Sequence, residues 1–255
     1  MYQEVMDKVG TIAIGKANLL KKNMLKYILL SAMAGIFVGL GVILIATIGG
    51  TLGDTPFKKT IMGVSFGIAL SLVVMIGSEL FTGNNFIMMV GSLQKKVTWA
   101  SSIKIWVVSY VGNLLGCILL GWLYVSTGLM KGSVGQFFLG LNAGKMGLGA
   151  GELFFRGVLC NLLVCLAVFC FIKMKSESGK LIMIFWCLFA FITSGFEHSI
   201  ANMTIFSIGL MVPHPETVSL AGAAHNLLYV TLGNFVGGAI LLGAVYWYIG
   251  SEKEA

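Results

Sequence analysis

The sequence predicts an all-α membrane protein in which six transmembrane helices form an inverted 3+3 repeat with broken second and fifth helices. Three observations carry that expectation. Hydrophobic residues make up 57% of the chain and charged residues 11%, more apolar surface than a water-soluble domain hides behind a polar exterior. Six stretches reach the roughly 20 mostly apolar residues that span a bilayer. The two halves also carry the same polar motifs in the same order.

Residues 1–26 precede the first stretch. Glu4 and Asp7 stand where a signal peptide carries its basic segment, and no short apolar run follows. Lys8, Lys16, Lys21, Lys22 and Lys26 mark this segment as basic and amphipathic. It reads as a helix lying on the cytoplasmic membrane face, with a regulatory or partner-binding arm as the alternative. The spans fall at 27–50, 60–78, 102–127, 152–173, 181–212 and 220–249. They form one pore domain, 27–250, with repeat one at 27–127 and repeat two at 152–249. Residues 251–255 remain as a cytoplasmic tail.

Charge distribution fixes the expected orientation. With six spans and an inside N-terminus, inside segments hold Lys8, Lys16, Lys21, Lys22, Lys26, Lys95, Lys96, Lys104, Lys173, Lys175, Lys180 and Lys253. Outside loops hold Lys58, Lys59, Lys131 and Lys145, with Arg156 at a membrane edge. Excess Lys and Arg on cytoplasmic loops is the positive-inside pattern, so both termini are expected in the cytoplasm of a multi-pass cell-membrane protein. The net charge of +7 is thereby explained without a nucleic-acid partner. Cys117, Cys160, Cys165, Cys170 and Cys187 all lie within spans. They read as small apolar fillers rather than a disulfide framework, and no Cys/His spacing suits a metal. No cofactor is implied.

The repeat is visible in short motifs. Gly77-Ser-Glu79-Leu-Phe-Thr-Gly-Asn84 matches Gly195-Phe-Glu197-His-Ser-Ile-Ala-Asn202, both reading G-x-E-x4-N. Gly112-Asn113-Leu-Leu-Gly116 matches Gly233-Asn234-Phe-Val-Gly237, and Gly35 lines up with Gly157. Each half has an odd number of spans, so the second half sits upside down relative to the first. Sites in such folds lie near the midplane, where corresponding helices break. A Glu and an Asn in mid-span are costly against lipid, and unwound backbone persists there only when buried in protein or lining a cavity. Glu79, Asn84, Glu197 and Asn202 therefore read as structural residues of the breaks. The glutamates are expected to accept hydrogen bonds from the freed amides of their own loops. The alternative makes them cation ligands or proton carriers.

Helical spacing suggests a pathway. Phe66 and Leu70 share a face of the second span, ahead of its break at Leu80, Phe81 and Thr82. Asn161 and Val164 share a face of the fourth span, and Phe191 and His198 a face of the fifth. A polar centre of His198, Thr82 and Asn161 flanked by bulky apolar side chains describes a narrow, largely dry pore. The competing reading makes Phe66, Leu70 and Phe191 packing residues. His214 and His225 read as interfacial, which leaves His198 alone at a break. It is either a hydrogen-bonded core histidine or a proton donor and anion contact, since imidazole titrates near neutrality. Lys145, ahead of the fourth span, is positioned to concentrate anions at the outer mouth.

These motifs, with Arg156-Gly-Val-Leu-Cys160-Asn161-Leu-Leu-Val164-Cys-Leu-Ala167 and Leu232-Gly-Asn234-Phe-Val-Gly237-Gly238, resemble the signatures of the formate/nitrite transporter family across all six spans. The resemblance implies an aquaporin-like protomer in a homopentamer, one pore per protomer. It implies Leu80, Phe81 and Thr82 as the loop at the second-span break. Leu70, Asn161 and Val164 match the cytoplasmic-side constriction, and Phe66 with Phe191 the outer one. His198 matches the central histidine and Lys145 the lysine before the fourth span. The family carries formate, nitrite, lactate or hydrosulfide; whole-chain likeness favours the hydrosulfide channel branch, and a formate or nitrite channel or proton symporter is the alternative.

Other classes fit less well. A water or glycerol channel carries Asn-Pro-Ala in its half-helices, whereas Pro56, Pro213 and Pro215 lie outside the spans. An ammonium channel shows two pore histidines. For an enzyme, no nucleophile–base constellation is present, and Gly39-x-Gly41 is a weak nucleotide motif. A scaffold leaves the midplane polar residues without a purpose.

Overall fold

The computed structural model describes residues 2–251. The described residues form helices joined by short connections. Helix α1 (Tyr2–Lys22) buries Val5, Met6, Val9, Ala13 and Leu20 on one face. That face packs on the body of the protein, so the apolar stripe expected to meet lipid meets protein instead. Asn23 caps the next helix, its side chain accepting from Lys26 N at 2.9 Å.

Helix α2 (Met24–Thr51) is the first span. The second begins as α3 (Lys58–Ser65) and α4 (Ile68–Ile76), offset at Phe66–Gly67. Gly77 then takes φ 84°, a left-handed geometry that ends a helix and suits glycine. After an extended Leu80, α5 (Phe81–Leu93) continues in a new direction. Helix α6 (Trp99–Ser126) is the third span. The second half repeats the plan: α8 (Ala150–Lys173), then α9 (Glu177–Ser194), a turn at Gly195 with φ 75°, an extended His198, and α10 (Ser199–Leu210). Helix α11 (Leu220–Phe235) opens the sixth span, which passes through a π-helical stretch, Val236–Ala244, into α12 (Val245–Ser251). Among the described residues, six helical segments are long and apolar enough to cross a membrane.

The expected boundaries need two corrections, at the second span and at residues 128–151. The span placed at 181–212 is broken as expected, and the left-handed Gly195 fixes the ends of its two helices at Ser194 and Ser199. The corresponding helix α5 lies wholly beyond the expected end of the second span. Residues 128–151, read as a loop, contain α7 (Gly132–Met146). Its glycines (Gly132, Gly135, Gly140, Gly144) depress intrinsic helix propensity, but burial of Phe138, Asn142 and Met146 against α2 and α10 overrides it.

The repeats pack through backbone-to-backbone approaches. A Cβ on Gly116 of α6 would collide with the Ala32 carbonyl oxygen of α2. A Cβ on Gly237 would collide with the Val158 carbonyl oxygen of α8. The motif glycines mark where paired spans approach too closely for any side chain, as small residues do between membrane helices.

Candidate functional site

Each break frees backbone groups in a region without water, where an unsatisfied amide or carbonyl costs several kcal/mol. Helix α5 has no capping side chain of its own. Asn113 of α6 supplies the cap: its Oδ1 accepts from Phe81 N at 3.0 Å, and its Nδ2 donates to Ser31 O at 2.7 Å and Glu79 O at 2.9 Å. Asn234 does the same for α10, accepting from Ser199 N at 2.9 Å and donating to Gly157 O at 2.8 Å and Glu197 O at 3.0 Å. The loop amides of the glutamates pair with carbonyls one span away, Glu79 N with Leu30 O and Glu197 N with Arg156 O.

The glutamate carboxylates are therefore not held by their own loops' amides, as had been expected. Side chains hold them. Glu79 accepts from Lys16 Nζ at 2.8 and 2.7 Å, from the Tyr27 hydroxyl at 2.8 Å and from Asn84 Nδ2 at 3.2 Å. Glu197 accepts from Lys145 Nζ at 2.8 Å and from Asn202 Nδ2 at 2.6 Å. Asn202 also donates to Asn226 Oδ1 at 2.8 Å, and Asn226 Nδ2 donates to the Lys145 carbonyl at 2.9 Å. Lysine, glutamate and asparagine thus recur at both breaks. Lys145 is not a free loop cation: it sits in the last turn of α7, neutralised by Glu197.

Two cavities approach the centre from opposite ends of the helices. One, of about 430 Å³, holds Lys145, Glu197, Phe66, Phe191 and His198, with Lys58, Lys59 and Arg156 nearer its mouth. Glu197 is the single acid among these lining residues; Lys58 and Arg156 are paired with Asp54 and Glu152 beside it, so Lys59 keeps the cavity positive with Lys145 paired. The other, of about 350 Å³, holds Lys16, Glu79 and Asn84, with Leu70 and Leu80. Between them stand the apolar side chains. Phe66 and Phe191 meet edge to face with centroids 5.5 Å apart, and both are buried, as are Leu70 and Leu80.

His198 is stacked on Phe191, centroids 6.0 Å apart and planes 19° apart. The two rings do not share a helix face, because the turn at Gly195 lies between them; His198 returns under Phe191 as the N-cap of α10. Its Nδ1 accepts from Ala201 N at 3.2 Å. An accepting Nδ1 leaves the ring proton on Nε2, and that proton points to Thr82 Oγ1, 3.0 Å away. The N-terminal turns of α5 and α10 thereby meet through Thr82 and His198, each helix directing the positive end of its dipole to the centre.

Other expected pore residues lie behind this contact. Asn161 is fully buried and spends both amide protons on backbone, Thr82 O at 3.2 Å and Asn234 O at 2.6 Å. Phe81 packs on Tyr110 with centroids 5.0 Å apart. Asn161, Val164, Phe81 and Thr82 line neither cavity; Asn161 and Thr82 brace the polar centre. Cys165, read as filler, donates its thiol to Thr82 O at 3.3 Å. Lys16 and Tyr27, absent from the expected site, are the partners of Glu79. Among the described residues no three His, Cys, Asp or Glu converge to hold a metal.

A family model described as formate/nitrite transporter matches residues 3–248. The chain belongs to the formate/nitrite transporter family. The nitrite transporter NirC of Escherichia coli (strain K12) is 41% identical over 97% of this chain and 92% of its own length. A solved structure titled FNT family ion channel superposes with a TM-score of 0.92 at 39% identity, covering 96% of this chain and 98% of that one. A second, a pentameric formate channel with formate bound, superposes with a TM-score of 0.79 at 31% identity over 90% and 98%. The formate/nitrite transporter fold is thus a multi-pass membrane fold here, and the relatives of this chain are channels and transporters.

Proposed function

We propose that five copies of this chain assemble into a pentamer in which each protomer passes a small monovalent anion between the two cavities, through the Phe66–Phe191 and Leu70–Leu80 constrictions and past His198. The meeting of two half-helix N-termini at the Thr82–His198 contact carries this proposal. It offers an anion two dipole ends and donors in a place otherwise apolar. The positive cavity beyond Phe191 supports anion selectivity, and the pentameric formate channel supports the assembly state. Both termini face the cytoplasm in this proposal, in keeping with the distribution of lysines.

Hydrosulfide is the proposed substrate. The polar centre displays a single imidazole proton bonded to a single hydroxyl, enough for an anion with one acceptor atom. Protonation of the anion by solvent in the flanking cavity, before it reaches the neutral His198, also lets the weak acid cross the apolar constrictions uncharged, which removes the cost of an unpaired ion there. Nitrite is the second candidate, favoured by the E. coli relative. Release of sulfide, nitrite and formate from separately loaded proteoliposomes, followed at several pH values, tests the ranking. Fastest release of sulfide supports hydrosulfide; faster nitrite or formate release replaces it. No release of any of them overturns the anion pathway.

A further inference from the structure

A third cavity, of about 410 Å³, lies away from the transport pathway, between the C-terminal half of α1 and the start of α6. Its charged lining is wholly basic: Lys21, Lys96 and Lys104. Lys96 is paired with Asp7 at 2.9 Å. Lys21 and Lys104 have no acidic partner among the described residues. Hydroxyls of Thr98 and Ser101 and the amide of Asn18 complete a polar floor, and Ile14, Leu20 and Val97 give an apolar wall. Thr98 caps the first turn of α6, a 28-residue membrane span.

Position defines the ligand. The cavity sits where a span begins, and Trp99 beside it is exposed, as tryptophans are at the membrane–water boundary. Two unpaired ammonium groups, the one hydroxyl proton left free by the Thr98–Ser101 hydrogen bond, and the remaining amides of a helix N-terminus converge at headgroup depth. Basic pockets between membrane helices at that depth accept phosphate-bearing headgroups. We propose that this cavity binds the phosphate of an anionic phospholipid, whose acyl chains follow the exposed Ile103 and Val107 face of α6. Because α1 forms one wall, a bound headgroup ties the helix carrying Lys16 to the membrane. The site stands independently of which anion is transported.

Native mass spectrometry of the purified assembly, supplied with phosphatidylglycerol or phosphatidylcholine, tests this. Retention of phosphatidylglycerol over phosphatidylcholine is expected. The Lys21→Gln/Lys104→Gln variant should lose about 30-fold in phosphatidylglycerol affinity, from the contribution of two lysines at an anionic surface. Lys21→Arg/Lys104→Arg should keep it, and a charge-matched control, Lys131→Gln/Lys175→Gln, should bind as the parent does. Equal retention by the Gln variant and the parent, with assembly intact by size exclusion, overturns the proposal. Inorganic phosphate alone in detergent forms the second arm. If it raises the melting temperature as much as the lipid does, and the gain vanishes in Lys21→Gln/Lys104→Gln, the source is free phosphate and the lipid assignment falls.

Discussion

Asn113 and Asn234 do the same work on opposite halves of the molecule. Each accepts from the first amide of a half-helix and donates to two carbonyls, one on the preceding span and one in the break itself. Neither side chain is exposed. The broken helices are thus held by residues on unbroken ones, and the precision of the centre depends on two amides that no solute touches.

Asn113→Ala and Asn234→Ala should each destabilise the protein by about 3 kcal/mol or more, because buried backbone groups lose their partners. Asn→Asp at either position keeps the acceptor but sets a buried carboxylate oxygen against two carbonyl oxygens, so it should destabilise at least as much as Ala. Thermal unfolding of the detergent-purified protein gives the order. An Ala variant as stable as the parent would contradict the capping role.

His198→Asn should leave assembly intact while altering how flux depends on pH. Asparagine keeps an acceptor for Ala201 N, but it is too short to replace the Nε2 contact to Thr82 and cannot exchange a proton at neutral pH. Proteoliposome flux between pH 5 and 8 measures this, and superimposable profiles for variant and parent would remove His198 from proton transfer.

Lys145→Gln leaves Glu197 as an uncompensated negative charge beside the pathway. An anion passing at about 8 Å then meets roughly 2 kcal/mol of added repulsion at intermediate dielectric, or about 30-fold slower flux. Lys145→Gln/Glu197→Gln removes both charges and should recover part of that loss. If the double variant is slower than Lys145→Gln alone, the charge balance is not what limits flux.

Phe66→Ala removes one ring of the edge-to-face pair with Phe191. Acetate and lactate, broader than formate, should then pass measurably faster relative to formate. The substitution should also cost about 3–5 kcal/mol of stability, as for other buried Phe→Ala changes. Unchanged relative rates would place the size barrier at Leu70 and Leu80.

What the sequence made legible follows from what repeats leave in it. Glu79 with Glu197, Asn84 with Asn202, and Asn113 with Asn234 could be matched because both halves had to solve the same problem at a helix break. The partners of those residues were hidden, since pairing depends on three-dimensional approach. Lys16 lies 63 positions from Glu79 on a helix that looked interfacial, and its amphipathic stripe does not distinguish a protein surface from a lipid one. Tyr27 sits at the start of an apolar run that gives no sign of a hydrogen-bond acceptor nearby. Periodicity misplaced Phe191 and His198 on one face because it assumed a continuous helix, although Gly195 was available as the stop signal. Helix α7 was obscured by its own glycines.

The inverted arrangement has a consequence for direction. Along the proposed pathway, a solute arriving from either side meets a lysine, a glutamate and an asparagine, then a pair of bulky apolar side chains, then the start of a half-helix. A passage that presents the same sequence of encounters from both ends carries no arrow of its own. Under the proposed function, uptake and release become two uses of one device, and the choice between them belongs to the concentrations on its two sides.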